Sequence, residues 1–332
     1  MPTPLDTLAQ VRGYMLSRVI LTAAELDVFT RLADQPVSAR ELASALGLDV
    51  RGLTRLLDCL VAHRLLEKEH GRYRVTQDGE CLASGHPSSI LPMVQHLGVI
   101  WENWSQLTER VRTGGNPNPR ATSGAAFEHN MQAFIGAMHV AARQTAATIA
   151  AGCDLRPFSQ LLDIGGGSGA YTIAFLQENP SLRAVLFDLP GVIPIAENTV
   201  AQAGLRGRVA FVPGNFYKDE LPPGCDVALL SAIIHQNSLQ QNQDLFAKIH
   251  RALEPGGALL IRDHIMNEWR TEPPDGALFA LNMLVNTPGG DTYTFAEVED
   301  ALRGAGFANT RLLRSGERMD CVVEARKGRV RS

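Results

Sequence analysis

The chain has 332 residues, of which 45% are hydrophobic, 20% charged and 6% aromatic. These proportions exclude a disordered or low-complexity protein and leave room for one large and one smaller domain. The formal net charge of -4 is too small to favour a nucleic acid or an anionic membrane as a partner. Five widely spaced cysteines, with no signal-like start and no long apolar run, predict a soluble, reduced protein of the cytoplasm.

The N-terminal part of the chain has the pattern of a small helical domain. Apolar residues three or four apart predict helices, and Ser38 with Glu41 forms a capping box that opens a helix ending at Gly47. A second helix follows, and then residues 66–76 have the pattern of a small hairpin. This order predicts an all-helical winged-helix domain over residues 1–95, with the hairpin as its wing.

A winged helix can bind DNA or another protein. Arg51 and Arg55 lie on the helix that would enter a DNA groove. Residues 1–95 nevertheless contain ten Lys and Arg against eleven Asp and Glu, so they lack the basic excess of a duplex-binding domain. We therefore favour an interaction module, with a DNA-binding regulator as the remote alternative.

Residues 96–150 predict further helix, interrupted by the turn-rich stretch 114–119. This linker is rich in large apolar side chains. Each of them alone is most simply a core residue, whereas the set could line a pocket for an aromatic or polycyclic ligand. The set comprises Trp101, Trp104, Phe127, Met131, Phe134 and Met138.

Residues 151–332 alternate short apolar runs with helical stretches, the pattern of an α/β fold with a doubly wound parallel sheet. Two final runs are close enough to pair as a hairpin, which makes the last strand of a seven-stranded sheet antiparallel. The runs are 161–164, 184–188, 209–212, 227–230, 258–261, 310–314 and 321–325.

The first of these strands leads into Asp163-Ile164-Gly165-Gly166-Gly167-Ser168-Gly169. Ligands of such sheets bind at the carboxyl ends of the strands, where glycines let the backbone turn and approach a ligand. The glycine spacing also fits a dinucleotide site. Asp163 and Gly169 favour S-adenosylmethionine instead, because a carboxylate suits its ammonium group and repels a pyrophosphate.

This segment resembles the first motif of class I S-adenosylmethionine-dependent methyltransferases. Nearly the whole chain resembles the small-molecule O-methyltransferases of the plant caffeic acid and chalcone type and their bacterial natural-product relatives. The resemblance implies S-adenosylmethionine as the cofactor, a homodimer through the N-terminal domain and a small-molecule acceptor, with no metal.

The resemblance also implies which residues bind the cofactor. Asp188 matches the acid that accepts hydrogen bonds from the ribose hydroxyls. Asn215 replaces the family's aspartate beside the adenine, and Phe216 would flank the ring. The cofactor-binding candidates are Asp163, Gly165, Gly167, Asp188, Leu189, Gly214, Asn215, Phe216 and Ser231.

The catalytic candidates are His235, which matches the family's general base, and Asp263, which stands where a supporting glutamate is usual. Gln236-Asn237 replaces the usual Asp-Trp, and Thr292 occupies the position of a second glutamate. Strand alternation predicts that His264 points away from Asp263. The candidates for the substrate pocket are Phe134, Met138, Met283 and Thr287.

The predicted reaction is transfer of a methyl group to an oxygen of a small aromatic or polycyclic acceptor, with His235 as the base. The departures around His235 leave methylation of carbon or nitrogen open, as well as non-methyl chemistry on the same fold.

Overall fold

The computed structural model describes residues 3–116 and 125–328, and for 125–130 and 132 it describes the backbone alone. The chain divides into two compact units, Met1–Glu102 and Asn103–Ser332. None of the described helices is long and apolar enough to cross a membrane.

The first unit has the predicted winged-helix order. Ser38 and Glu41 form the capping box of the third helix, which ends at Gly47 in the left-handed conformation. The hairpin turns at His70 and Gly71, both with positive φ. The elements are α1 (Pro4–Glu25), α2 (Val28–Arg31), β1 (Val37–Ser38), α3 (Ala39–Leu46), α4 (Val50–Ala62), β2 (Leu66–Glu69) and β3 (Arg72–Val75).

The wing is a three-stranded sheet in the order β1-β3-β2, because the two-residue β1 pairs antiparallel with β3. Its buried face joins the helices through Tyr73, whose ring lies in the core and whose hydroxyl donates to Asp58 at 2.7 Å. Phe29, Leu57 and Leu60 are fully buried in the same core. The stripe of leucines on α4 therefore packs inward, as its spacing predicts.

The second unit carries the sheet, and the boundary between the units falls within α5. Helix α5 (Leu91–Trp104) belongs to the first unit up to Glu102. The helices of the second unit are α6 (Leu107–Thr113), α7 (Ala125–Ala151), α8 (Ala170–Glu178), α9 (Ile193–Gln202), α10 (Leu239–Ala252), α11 (Pro274–Asn286) and α12 (Phe295–Gly304). Its strands are β4 (Gln160–Ile164), β5 (Arg183–Asp188), β6 (Val209–Pro213), β7 (Cys225–Ser231), β8 (Leu253–Asp263), β9 (Ile265–Met266), β10 (Tyr293–Thr294), β11 (Phe307–Arg314) and β12 (Cys321–Lys327).

Seven strands form one sheet in the order β11-β12-β8-β7-β4-β5-β6. The five strands from β6 to β8 are parallel, whereas β12 runs antiparallel to both of its neighbours. The doubly wound fold with an antiparallel last strand is confirmed. The carboxyl ends of the parallel strands therefore lie along one edge.

Alternation along the strands gives the sheet two buried faces. Leu161, Leu229 and Leu260 pack with residues of α7 and α8, and we call this side the α7/α8 face. Leu230 and Ile261 pack with residues of α10 and α12, on what we call the α10/α12 face. A side chain at the end of a strand therefore projects on either the α7/α8 face or the α10/α12 face.

Candidate active site

The glycine loop turns directly after β4. Gly165 and Gly167 both have positive φ, at 68° and 56°. A Cβ on Gly165 would lie 2.9 Å from the Ile233 side chain, so a larger residue is excluded there. Within the described ranges, a Cβ on Gly167 would meet only Ile135, at 4.0 Å. The backbone at Gly167 is thus open to a ligand.

Asp163 lies beneath this loop rather than on its surface. Its carboxylate is 1% exposed and accepts a hydrogen bond from the Thr172 hydroxyl at 2.5 Å. Burial raises the pKa of Asp163 to about 6, and the nearby charge of Asp188 acts in the same direction. A buried carboxylate that is costly to ionise favours a positive charge nearby.

Asp188 ends β5 and contacts the glycine loop. Its two oxygens accept backbone N–H groups of Gly167 and Leu189, each at 2.7 Å. Burial raises the pKa of this carboxyl, and those two bonds offset part of the rise. Each carboxylate oxygen accepts more than one hydrogen bond, so both oxygens retain capacity for a pair of hydroxyls.

The segment after β6 lies against the same edge. Gly214 donates to the Asp188 carbonyl at 2.9 Å, and a Cβ there would collide with Phe187. Asn215 forms a local turn in which its side-chain oxygen accepts the Tyr217 N–H at 2.9 Å. The Phe216 ring would lie 3.5 Å from a Cβ on Gly165. This segment therefore borders the glycine loop with an amide and an aromatic ring.

His235 and Asp263 are brought together from two strands. His235 follows β7 in a short 3-10 helix, and its Nδ1 lies 2.9 and 3.0 Å from the two carboxylate oxygens of Asp263 at the end of β8. Asp263 is 1% exposed and also accepts the His264 N–H at 2.8 Å. With Nδ1 donating to the carboxylate, the neutral ring presents its lone pair at Nε2.

The pKa of Asp263 is lowered overall. Burial raises this pKa. The charge and hydrogen bond of His235 and the backbone N–H of His264 lower it, and together they outweigh burial. The carboxylate therefore stays ionised and accepts the Nδ1–H of His235.

The loop before β10 supports His235 through its backbone. The Asp291 N–H donates to the His235 carbonyl at 2.9 Å. Thr292, at the expected place of a second glutamate, is buried and directs its hydroxyl to the Gly276 carbonyl at 3.3 Å. The loop thus holds the histidine in place through its backbone, without a glutamate at position 292.

Phe279 on α11 packs against both histidines of this region. Its ring centroid lies 4.9 Å from that of His235, edge to face, and 5.0 Å from that of His264. The His235 side chain is 12% exposed. The Phe279 ring thus covers one side of His235, and water has limited access to the imidazole.

Three of the four pocket candidates lie on α7 and α11, and Thr287 directly follows α11. Phe134 is 42% exposed and Met138 is half-buried, both on α7. Met283 on α11 is buried. The Thr287 hydroxyl donates to the Met283 carbonyl and accepts the Gly290 N–H, each at 2.8 Å. Of the aromatic set named from sequence, the Phe127 side chain lies outside the described part of the chain.

Comparison with known proteins matches residues 104–308 to a family described as the O-methyltransferase domain, and residues 8–85 to the O-methyltransferase dimerisation domain. The chain is 35% identical to the 3-hydroxy-5-methyl-1-naphthoate 3-O-methyltransferase of Streptomyces sahachiroi, over 94% of this chain and 91% of that protein. It is 32% identical to the acetylserotonin O-methyltransferase of Gallus gallus, over 94% of each chain. The crystal structure of human N-acetylserotonin methyltransferase in complex with SAM superposes with a TM-score of 0.84, at 26% identity, covering 98% of this chain and 99% of that chain.

The chain belongs to the O-methyltransferase family. It is an S-adenosylmethionine-dependent methyltransferase with an N-terminal dimerisation domain.

The residues at the strand ends of this O-methyltransferase fit that cofactor. The backbone is open at Gly167, and Asp188 retains acceptor capacity for two hydroxyls. At the end of β7, the buried Ser231 hydroxyl has no hydrogen-bond partner among the described residues. Because buried polar groups are normally paired, this hydroxyl marks a place for a ligand atom.

Several residues near the candidate site are not indicated by the motifs of the sequence. Phe279 carries no local signal, since it is one apolar residue on an apolar helix. His139 on α7 hydrogen-bonds the Ser168 hydroxyl of the glycine loop at 2.8 Å, which no motif indicates. Arg262 did have a signal, because a charged residue interrupts the apolar run of β8.

Proposed function

We propose that this O-methyltransferase methylates a hydroxyl oxygen on a small aromatic or polycyclic acceptor, with His235 as the general base. The observation that carries the proposal is the His235–Asp263 pair. The His235 Nδ1 lies 2.9 Å from Oδ1 of Asp263, which leaves Nε2 to take a proton from the methyl acceptor. The naphthoate and acetylserotonin enzymes to which the chain is similar support an aromatic acceptor.

S-adenosylmethionine, when bound, supplies an electrophilic methyl group. Asp188 would accept the two ribose hydroxyls, while Asn215 and Phe216 would border the adenine. The backbone of Gly165, Gly167, Leu189 and Gly214 would line the cleft. Asp163 would act through the loop that covers it, by favouring the positive charge of the cofactor above.

His235 would accept the hydroxyl proton at Nε2 while the acceptor oxygen gains the methyl group. Asp263 is then a positioning residue, because it fixes the ring and stabilises the imidazolium that forms. Phe134, Met138, Met283 and Thr287 would border the acceptor. Enclosure of the base by Phe279 limits competing protonation by water.

Replacement of His235 tests this role directly. His235→Ala is expected to lower kcat by about 10²–10⁴-fold while the affinity for S-adenosylhomocysteine, measured by calorimetry, changes little. Gln236→Ala, at the next position, is the matched control and should retain turnover. Undiminished methyl transfer by folded His235→Ala would show that another group takes the proton.

The domain boundaries and the homodimer are also proposals. We assign residues 1–95 to dimerisation, 96–150 to a helical linker that contributes to the pocket, and 151–332 to the methyltransferase domain. Apolar side chains on α1 support a homodimer through the first unit, because they are exposed in the single chain. They are Leu5, Leu8, Val11, Tyr14 and Met15. A cytoplasmic location stays a prediction from the sequence.

A further inference from the structure

Arg262 places a guanidinium group inside the protein, at the carboxyl end of β8. The four residues before it, 258–261, are apolar and buried. Arg262 itself is only 7% exposed. It pairs in register with Ser231 on one side and with Val322 on the other. Since Val322 packs in the core of the α7/α8 face, the Arg262 side chain lies on that face.

This guanidinium has no direct ion pair or hydrogen bond with a described residue, and its buried Nε is without an acceptor there. A described charge nearby is the carboxylate of Asp263, whose pKa is lowered in part by Arg262. That carboxylate is on the opposite face, bound to His235 and to the His264 N–H. An unpaired buried charge is strongly disfavoured, so a native protein that keeps one normally has an anion for it.

Tyr171 on α8 accounts for part of the environment of Arg262. The guanidinium carbon lies 5.2 Å from the centre of the Tyr171 ring, and the Tyr171 hydroxyl lies 2.9 Å from that of Thr145 on α7. A ring beside the guanidinium stabilises its charge by a cation–π contact. The contact does not satisfy the N–H groups, which lie in the plane of the guanidinium and need acceptor atoms.

Ser231 is the second polar group without a partner at this place. Residues in register on neighbouring parallel strands share a face, so Ser231 and Arg262 project side by side from strands about 4.8 Å apart. The Ser231 Oγ is buried and unpaired among the described residues, like the Arg262 Nε. A guanidinium next to a hydroxyl is a donor set suited to a carboxylate.

We propose that Arg262 and Ser231 form a buried carboxylate-binding subsite at the edge of the cofactor cleft, an inference that rests on the proposed function. The residues assigned to adenine and ribose follow β6 and β5, so a ligand extended from them across β4 brings its other end towards β7 and β8. The cofactor carries a carboxylate at that end. A carboxylate on the methyl acceptor is the other source of the same chemistry.

Calorimetry on the full-length protein tests the subsite with probes that do and do not carry the amino-acid end of the cofactor. S-adenosylhomocysteine has a carboxylate and an ammonium group there, and 5′-methylthioadenosine lacks both, but only the carboxylate would be attracted to a guanidinium. We expect Arg262→Met to weaken binding of the first by about tenfold or more and to change binding of the second by less than about twofold. Arg262→Lys keeps the charge and should lose less. Arg156→Met, at an exposed arginine before β4, is the matched control.

A second experiment tests whether the bound carboxylate belongs to the methyl acceptor. With S-adenosylhomocysteine bound, 3-hydroxy-2-naphthoate and 2-naphthol are titrated into the wild type and Arg262→Met. If the variant binds S-adenosylhomocysteine normally but loses about tenfold in affinity for the naphthoate alone, the carboxylate belongs to the acceptor. If Arg262→Met weakens the binding of neither S-adenosylhomocysteine nor the naphthoate by more than about twofold, the subsite proposal is wrong.

Thermal unfolding separates a ligand-binding arginine from a structural one. Without ligand, Arg262→Met should unfold at the same temperature as the wild type or higher, because it removes an unpaired buried charge. With ligand, the wild type should gain more stability than the variant. A wild type that binds no S-adenosylhomocysteine would instead contradict the proposed function, and the subsite with it.

Discussion

At Asp163, the proposed role in cofactor binding and the stability of the fold are opposed. Its folded pKa of about 6 lies above the usual value of 3.8, so ionisation destabilises the fold progressively as the pH rises from about 4 to above 6. Asp163→Asn should therefore raise the free energy of unfolding by about 1–3 kcal/mol at pH 8, and by about half as much at pH 5. Urea denaturation at both pH values measures this difference.

Asp154 provides the control for that experiment. It is an exposed carboxylate whose pKa is lowered to about 2 by hydrogen bonds from Arg156. Asp154→Asn should bring no gain in stability at pH 8. If Asp163→Asn proves less stable than the wild type at pH 8, then burial is not the dominant effect on this carboxyl.

The pKa of Asp263 is shifted in the opposite direction to that of Asp163. Its pKa is lowered, so it stabilises the fold above about pH 4, and this contribution is lost as the pH falls through its folded pKa. Asp263→Asn should remove that acid-sensitive part of the stability. It should also lower kcat on the order of 10²-fold, because the His235 ring loses its partner.

Asp263→Glu tests whether the shorter side chain matters. The carboxylate is retained, so turnover should stay well above that of Asp263→Asn. The pH profile of kcat distinguishes the positioning role from a loss of folding, and equal turnover by Asp263→Asn and the wild type would contradict the role.

At the scale of elements, Asn237 joins four segments around His235. Its side chain accepts from the Tyr217 hydroxyl at 2.5 Å and donates to Asn242 of α10 at 3.0 Å. Its carbonyl accepts the Tyr293 hydroxyl of β10. The Asn242 amide in turn donates to the Ile234 carbonyl at 2.9 Å, so the turn that carries His235 is fixed by buried polar bonds.

Asn237→Leu should lower the free energy of unfolding by about 2–4 kcal/mol, since it leaves several buried groups unpaired. Ser238→Ala, at the next position, removes only the N-cap of α10 and should lower it by about 1 kcal/mol. Chemical denaturation compares the two variants. Similar losses for both would show that the Asn237 network adds little beyond an ordinary cap.

The elements show which features a sequence can predict. The glycine loop, Asp188 and the five parallel strands follow from local period and turn chemistry, and the pairing of His235 with Asp263 follows from family motifs. The register of Ser231 with Arg262 does not, because it depends on which strands become neighbours. The contacts of Asn237 likewise depend on segments distant in the chain, so the sequence could indicate a departure there but not its effect.

At the scale of the whole molecule, the exposed apolar stripe on α1 is the surface that we propose for dimerisation. Leu8→Glu combined with Met15→Glu should convert a dimer to a monomer, because charges would be buried in the proposed interface. Light scattering coupled to size exclusion measures the mass. Glu69→Lys, on the exposed wing, is the control and should stay dimeric. A dimeric double variant would place the interface elsewhere.

Strand alternation places two adjacent residues of β8, Arg262 and Asp263, on opposite faces of the sheet. One faces the proposed carboxylate subsite and the other holds the base. Because a slip of one residue exchanges the faces of a strand, a single insertion or deletion within β8 would misplace both at once. The length of β8 is therefore a constraint shared by both of these roles.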